Sequence, residues 1–81
     1  MWSVVKGKLY KKFVFIDFET AFEFMKEVAK IVMEVNHHPD WRNIYNIVEI
    51  NLFSFEQNTI TEKDTQLAEK IDAIFKKLIS N

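Results

Sequence analysis

The spacing of hydrophobic residues along this chain switches between alternation and helical intervals, and that switching restricts the fold more than any other feature. From Lys12 to Phe18 the pattern alternates, with Phe13 and Phe15 on one side and Val14, Ile16 and Phe18 on the other. Both sides are apolar, so this strand is expected to be buried on two faces or to offer one face to a partner. From about Thr20 to Val35, Ala21, Phe22, Met25, Val28, Ala29 and Val32 recur mostly at three- and four-residue intervals and predict a helix with one apolar stripe. Phe24, Ile31 and Val35 widen that stripe, and Met25 and Met33 read as packing residues. Asn36 helps to end the helix, and Pro39 prevents its continuation.

Trp41 to Phe55 reads as two strands separated by a bend near Tyr45-Asn46-Ile47. Val48, Ile50 and Leu52 share one face of the second strand, while Glu49, Asn51, Phe53 and Phe55 take the mixed, accessible face. Near the start of the chain, Val4-Val5 and Leu9-Tyr10 flank Lys6-Gly7-Lys8, which reads as a short hairpin or tight connection with Gly7 able to adopt positive φ. Gln57-Asn58-Thr59-Ile60 connects to Thr61, Glu62, Lys63 and Asp64, which resemble a capped helix start. Leu67, Ala68, Ile71, Ile74, Phe75 and Leu78 then form the stripe of a second helix. The order β-β-α-β-β-α predicts an α+β domain: a four-stranded antiparallel sheet with two helices packed on one face.

Residues 1–81 are expected to form a single domain. A chain this short buries only roughly 60–65% of its unfolded surface, yet 48% of its residues are hydrophobic, eight of them Phe. Part of that apolar load is expected to face a second subunit, in a homodimer or homotetramer. There is no cysteine, which excludes disulfides and thiol chemistry. The longest apolar run, Phe13-Val14-Phe15-Ile16, is four residues and far too short to span a bilayer. No signal segment is evident, so no membrane attachment and a cytoplasmic location are the default expectations. The net charge of −1 gives little support for nucleic-acid binding. Lys6, Lys8, Lys11 and Lys12 cluster and read as a solvated strand edge that resists mispairing. With Gly7 as the single glycine, there is no phosphate-binding glycine loop.

The chemistry is expected in Asn36-His37-His38-Pro39-Asp40-Trp41, which contains the only two histidines. Imidazole gives and takes protons near neutrality. Pro39 biases His38 towards extended backbone and so separates the directions of the two rings. Trp41 offers an apolar or stacking wall, and Asp40, Glu34 or Asn36 are candidates for orienting a ring nitrogen. Such a mouth suits a planar heterocycle, with surface or structural histidines as the plainer alternative. Two adjacent imidazoles rarely converge on one ion, and no third histidine or cysteine completes a site, so no metal is expected.

Asn36 to Trp41, followed by Asn43-Ile44-Tyr45-Asn46 and Val48-Glu49-Ile50-Asn51-Leu52, resembles the pterin-4a-carbinolamine dehydratase family. Phe13 to Phe18, Ala21-Phe22-Glu23-Phe24, Val28-Ala29, Thr61-Glu62-Lys63-Asp64, Leu67-Ala68 and Ile71-Asp72 extend the resemblance over nearly the whole chain. It implies a protomer that assembles as a dimer or tetramer and removes water from a 4a-hydroxy-tetrahydropterin to give quinonoid dihydropterin, with no cofactor. By this resemblance His38 does acid/base work, His37 orients the substrate or moves a proton, and Asp64 steadies the site, with Asn36, Pro39, Trp41 and Phe55 supporting. Trp2 corresponds to a tryptophan just after the first helix of many members, so that helix is expected to be absent here. Two departures stand out. Phe55 occupies the position of a third histidine usual in active members, and Met33 the place of an acidic residue four before the first paired histidine. Neither side chain moves a proton, so a catalytically weak pterin-binding or protein-assembly module is the alternative.

Overall fold

The computed structural model describes residues 1–80. Its elements run β1 (Ser3–Val5), β2 (Lys8–Val14), α1 (Phe18–Val35), β3 (Asp40–Ile44), β4 (Ile47–Leu52) and α2 (Glu62–Ile79). The sheet has the order β1-β2-β4-β3, with every neighbouring pair antiparallel. Two connections are two-residue turns. Lys6 and Gly7 both take positive φ (53° and 79°) and join β1 to β2, the backbone that matches the twist of a hairpin. Tyr45 and Asn46 join β3 to β4, and the Asn43 side chain ties that turn by donating to the carbonyls of Tyr45 and Ile47. Helix α1 carries the chain from β2 over the sheet to β3, and β4 then fills the gap between them. Both helices lie on one face, as the periodicity predicts.

The core sits between that face and the helices. Val48, Ile50 and Leu52 are fully buried, as their alternation requires. Phe13 and Phe15 of the β2 end meet Phe24 of α1 and Phe75 of α2, with the four rings 4.9–6.1 Å apart in tilted and edge-on pairs. Aromatic pairs of this kind add to the burial of the rings themselves.

Several expectations change. The strand ends at Val14, and Phe18 opens α1 instead of closing β2. Asp17 is the reason: its carboxylate accepts from the Thr20 backbone N–H at 2.8 Å and starts the helix two residues earlier than the stripe suggests. Only one side of the Phe13–Phe18 segment is buried, since Val14, Ile16 and Phe18 are exposed. The buried line of α1 is Ala21, Phe24, Val28 and Val32. Phe22 is half exposed and stacks on Phe18 at 5.7 Å. Of the lysines, Lys6 lies in the turn and Lys8 pairs with Val5 of β1, while Lys11 and Lys12 lie beyond the end of β1 and pair with β4 alone. The Lys11 side chain crosses Phe13 and pairs with Asp72 at 2.9 Å, a carboxylate that also accepts from the Trp2 indole at 3.0 Å. No helix among the described residues is long and apolar enough to cross a membrane.

Candidate active site

Helix α1 ends on Asn36, whose left-handed backbone (φ 53°) returns its N–H to the Val32 carbonyl. The next residues therefore leave the helix axis abruptly, and Pro39 keeps them from rejoining it. His37 and His38 occupy this exit. They line a cleft of about 320 Å³ together with Phe53, Ser54 and Phe55 from just beyond β4 and Lys63 from the first turn of α2. That volume is at the small end of those that hold compact organic ligands.

His37 is the anchored member of the pair. Its Nε2 lies 2.5 Å from Asp64 Oδ1. Asp64 is fully buried, and its other oxygen accepts from the Ser54 hydroxyl at 2.8 Å and from the Thr61 backbone N–H at 2.9 Å. Burial alone pushes the Asp64 carboxyl up, but the hydrogen bonds from His37, Thr61 and Ser54 outweigh it and hold the group below its ordinary value of 3.8. Asp64 also forms the capping box of α2 with Thr61, so the residue that steadies the histidine starts the helix as well. A depressed folded-state value stabilises the fold above the unfolded value and is lost as pH falls through the folded one. Stability is therefore expected to decline as pH drops below 3.8. Asp64→Asn should be less stable at neutral pH and lose less across that acid range. Thermal melts of both proteins over a pH series provide the check, and equal slopes would contradict the assignment.

His38 is exposed and has no side-chain hydrogen bond among the described residues. Phe55 is 69% exposed and meets Phe53 edge-on at 5.1 Å. The Lys8 ammonium lies 5.8 Å from the Phe53 ring centroid and 5.5 Å from that of Phe55. Alternation along β4 is not what brings Phe55 here. The strand ends at Leu52, Ser54 pairs with Thr59, and Phe55 opens the turn between them, which closes by Asn58 N–H donating to its carbonyl.

Of the residues singled out in the sequence, Asn36, His37, His38, Pro39, Asp40 and Phe55 meet at the cleft, and Asp64 lies behind it. Trp41 does not line it. It pairs with Ile50 on the helix-facing side of the sheet and packs against the core. Asp40, Glu34 and Asn36 do not hold a ring nitrogen of either histidine; Asp64 does. Met33 is exposed on α1. Ser54 was not anticipated, and Phe53 was placed on the accessible face without being named for the site. The period-two pattern ends before Ser54, although a hydroxyl buried next to a capping box is a signal available in retrospect.

Comparison with known proteins bears on the family and the fold. The profile of the pterin 4 alpha carbinolamine dehydratase family matches residues 1–74. A candidate pterin-4-alpha-carbinolamine dehydratase of Solibacter usitatus is 47% identical over 73 residues, 90% of this chain and 77% of that protein. Another from Nitrobacter winogradskyi is 43% identical over 75 residues, 90% of this chain and 74% of its own. The crystal structure of a transcriptional coactivator/pterin dehydratase from Brucella melitensis superposes with a TM-score of 0.86 at 40% identity, over 90% of this chain and 80% of that one. A pterin dehydratase-like protein described as a RuBisCO assembly factor in the alpha-carboxysome shares the fold, with a TM-score of 0.76 at 21% identity over 93% of this chain and 87% of that one. With a match spanning all six elements but the end of α2, the chain belongs to the pterin-4a-carbinolamine dehydratase family.

Proposed function

We propose that residues 1–81 act as a single domain that dehydrates a 4a-hydroxy-tetrahydropterin. The observation that carries this reading is His38, exposed on the wall of a cleft beside His37, whose ring buried Asp64 holds in place. In the elimination, the C4a–O bond breaks and the hydroxyl leaves as water after taking a proton. N5 loses its proton, and its electron pair forms the N5–C4a double bond of the quinonoid product. Proton transfers at neighbouring atoms are work that positioned imidazoles accelerate. His38, which is not tied to the fold, does the acid/base work at the reacting centre. His37, fixed by Asp64, orients the substrate or moves the second proton. Phe53 and Phe55 offer ring faces and edges to a flat pterin. The chain itself supplies all of these groups, so the reading calls on no cofactor or metal. Substrate conversion by purified, folded protein, compared with buffer, is the direct test; a rate no better than buffer rejects the activity.

A second reading is favoured by Phe55. It lines the cleft where the family resemblance leads one to expect a proton-transferring side chain, and it can only pack or stack. On that reading the protein keeps pterin binding or an assembly role with little turnover.

Self-association accompanies either reading. The sheet face away from the helices carries exposed Val14 and Ile44 beside Ile47, and exposed Ile16, Phe18 and Phe22 adjoin one end. Exposed apolar side chains grouped in this way are what a second subunit would cover. Light scattering is expected to give a dimer or tetramer of the 9.7 kDa chain at micromolar concentration. A monomer mass under those conditions would sink this expectation.

A further inference from the structure

Asp64 faces the cleft only through His37, and what holds Asp64 is a hydroxyl pair at the start of α2. Ser54 is 3% exposed and its Oγ lies 2.8 Å from Asp64 Oδ2 and 2.7 Å from Thr61 Oγ1. A carboxylate only accepts, so the single Ser54 proton goes to Asp64. The Thr61 hydroxyl must then donate to Ser54 Oγ. The same logic at the other oxygen puts a proton on His37 Nε2, which leaves Nδ1 with the ring's lone pair whenever the imidazole is neutral. The donors run in one direction, from Thr61 to Ser54 to Asp64, and Asp64 in turn accepts from His37. The backbone reinforces the arrangement, because Ser54 and Thr59 exchange both of their N–H···O bonds at 3.1 and 3.3 Å.

We propose that Ser54 is a positioning residue for His37: its hydroxyl, aligned by Thr61, fixes the Asp64 carboxylate so that His37 keeps its proton on Nε2 and its lone pair on Nδ1. Ser54 acts through two other side chains and need not touch the substrate. Without its hydroxyl, Asp64 Oδ2 retains only the Thr61 N–H, and the carboxylate is free to turn away from the imidazole. His37 then samples both neutral tautomers, and the wrong one presents a donor where an acceptor is needed.

The spectroscopic arm of the test does not depend on dehydration; the kinetic arm rests on the function proposed above. Nitrogen NMR of the histidine ring, recorded where the imidazole is neutral, is expected to show His37 protonated on Nε2 in the unaltered protein. Ser54→Ala should give a mixed tautomer signal and faster exchange of the Nε2 proton, and Ser54→Thr should restore the original signature. Turnover in Ser54→Ala should fall about tenfold, the rate equivalent of one lost hydrogen bond, with a much smaller change in KM. If the alanine variant does not fold, Ser54→Cys, which keeps the volume with a weaker donor, replaces it in both arms. A His37 signal protonated on Nδ1 in the unaltered protein overturns the proposal, as does an unchanged tautomer in Ser54→Ala or Ser54→Cys. A tautomer change without any measurable conversion by the unaltered protein would leave the positioning role standing and count against the dehydration reading alone.

Discussion

His38→Ala is expected to lower pterin dehydration by about 10²–10⁴-fold, the usual contribution of a positioned acid or base. Its stability should stay within about 0.5 kcal/mol of the parent, since the side chain is exposed and takes no part in the hydrogen bonding of the described residues. His37→Ala is a poorer probe: it removes a partner from buried Asp64 and mixes a folding cost with a catalytic one. Steady-state conversion with thermal melting on the unaltered protein and His38→Ala separates the two readings of function. Near-equal turnover in two folded proteins would falsify the assignment of His38 and favour the weakly catalytic member.

Phe55→His should act in the opposite direction, raising turnover by about tenfold or more while KM changes little. General acid–base assistance in an optimised site is worth about 10²–10⁴-fold, and a transplanted residue recovers less. The position suits the exchange. Phe55 is mostly exposed, touches Phe53, and lines the same cleft as both histidines, so little core packing is lost. The Lys8 ammonium beside it disfavours a charged imidazole and so keeps the new ring in its neutral, proton-accepting form. An effect confined to the transition state appears in kcat rather than in affinity. A folded, pterin-binding Phe55→His protein with unchanged turnover would show that some other group limits the reaction.

What the sequence made legible was local. Val48, Ile50 and Leu52 declared a buried strand face because side chains alternate with a fixed period, and Thr61 with Asp64 declared a helix start because the capping box spans three residues. The misread positions are those where a short polar contact overrode periodicity. Asp17 drew Phe18 into α1, and the helix packs on the line of Ala21, Phe24, Val28 and Val32, which leaves Phe22 outside. Trp41, next to the histidines in sequence, went to the other side of the sheet because neighbours on a strand face opposite ways. The partner of His37 lay beyond local reading. Asp64 is 27 residues away and meets the ring only because β4 and the turn after it deliver the start of α2 to the end of α1. The family pattern pointed to Asp64 as a residue of the site, but not to which group it holds.

Asp64 belongs both to the opening turn of α2 and to the imidazole of His37, and this dual membership affects how chains of this kind can drift. A lineage released from any demand for chemistry still has reason to keep Asp64, because losing it strands the buried Ser54 hydroxyl and takes a partner from the partly buried Thr61 amide and His37 ring. His37 tends to persist with it. The presence of these two residues in a relative is therefore poor evidence of activity. His38 has no such tie to the fold, and its replacement is the earliest mark that abandoned chemistry should leave.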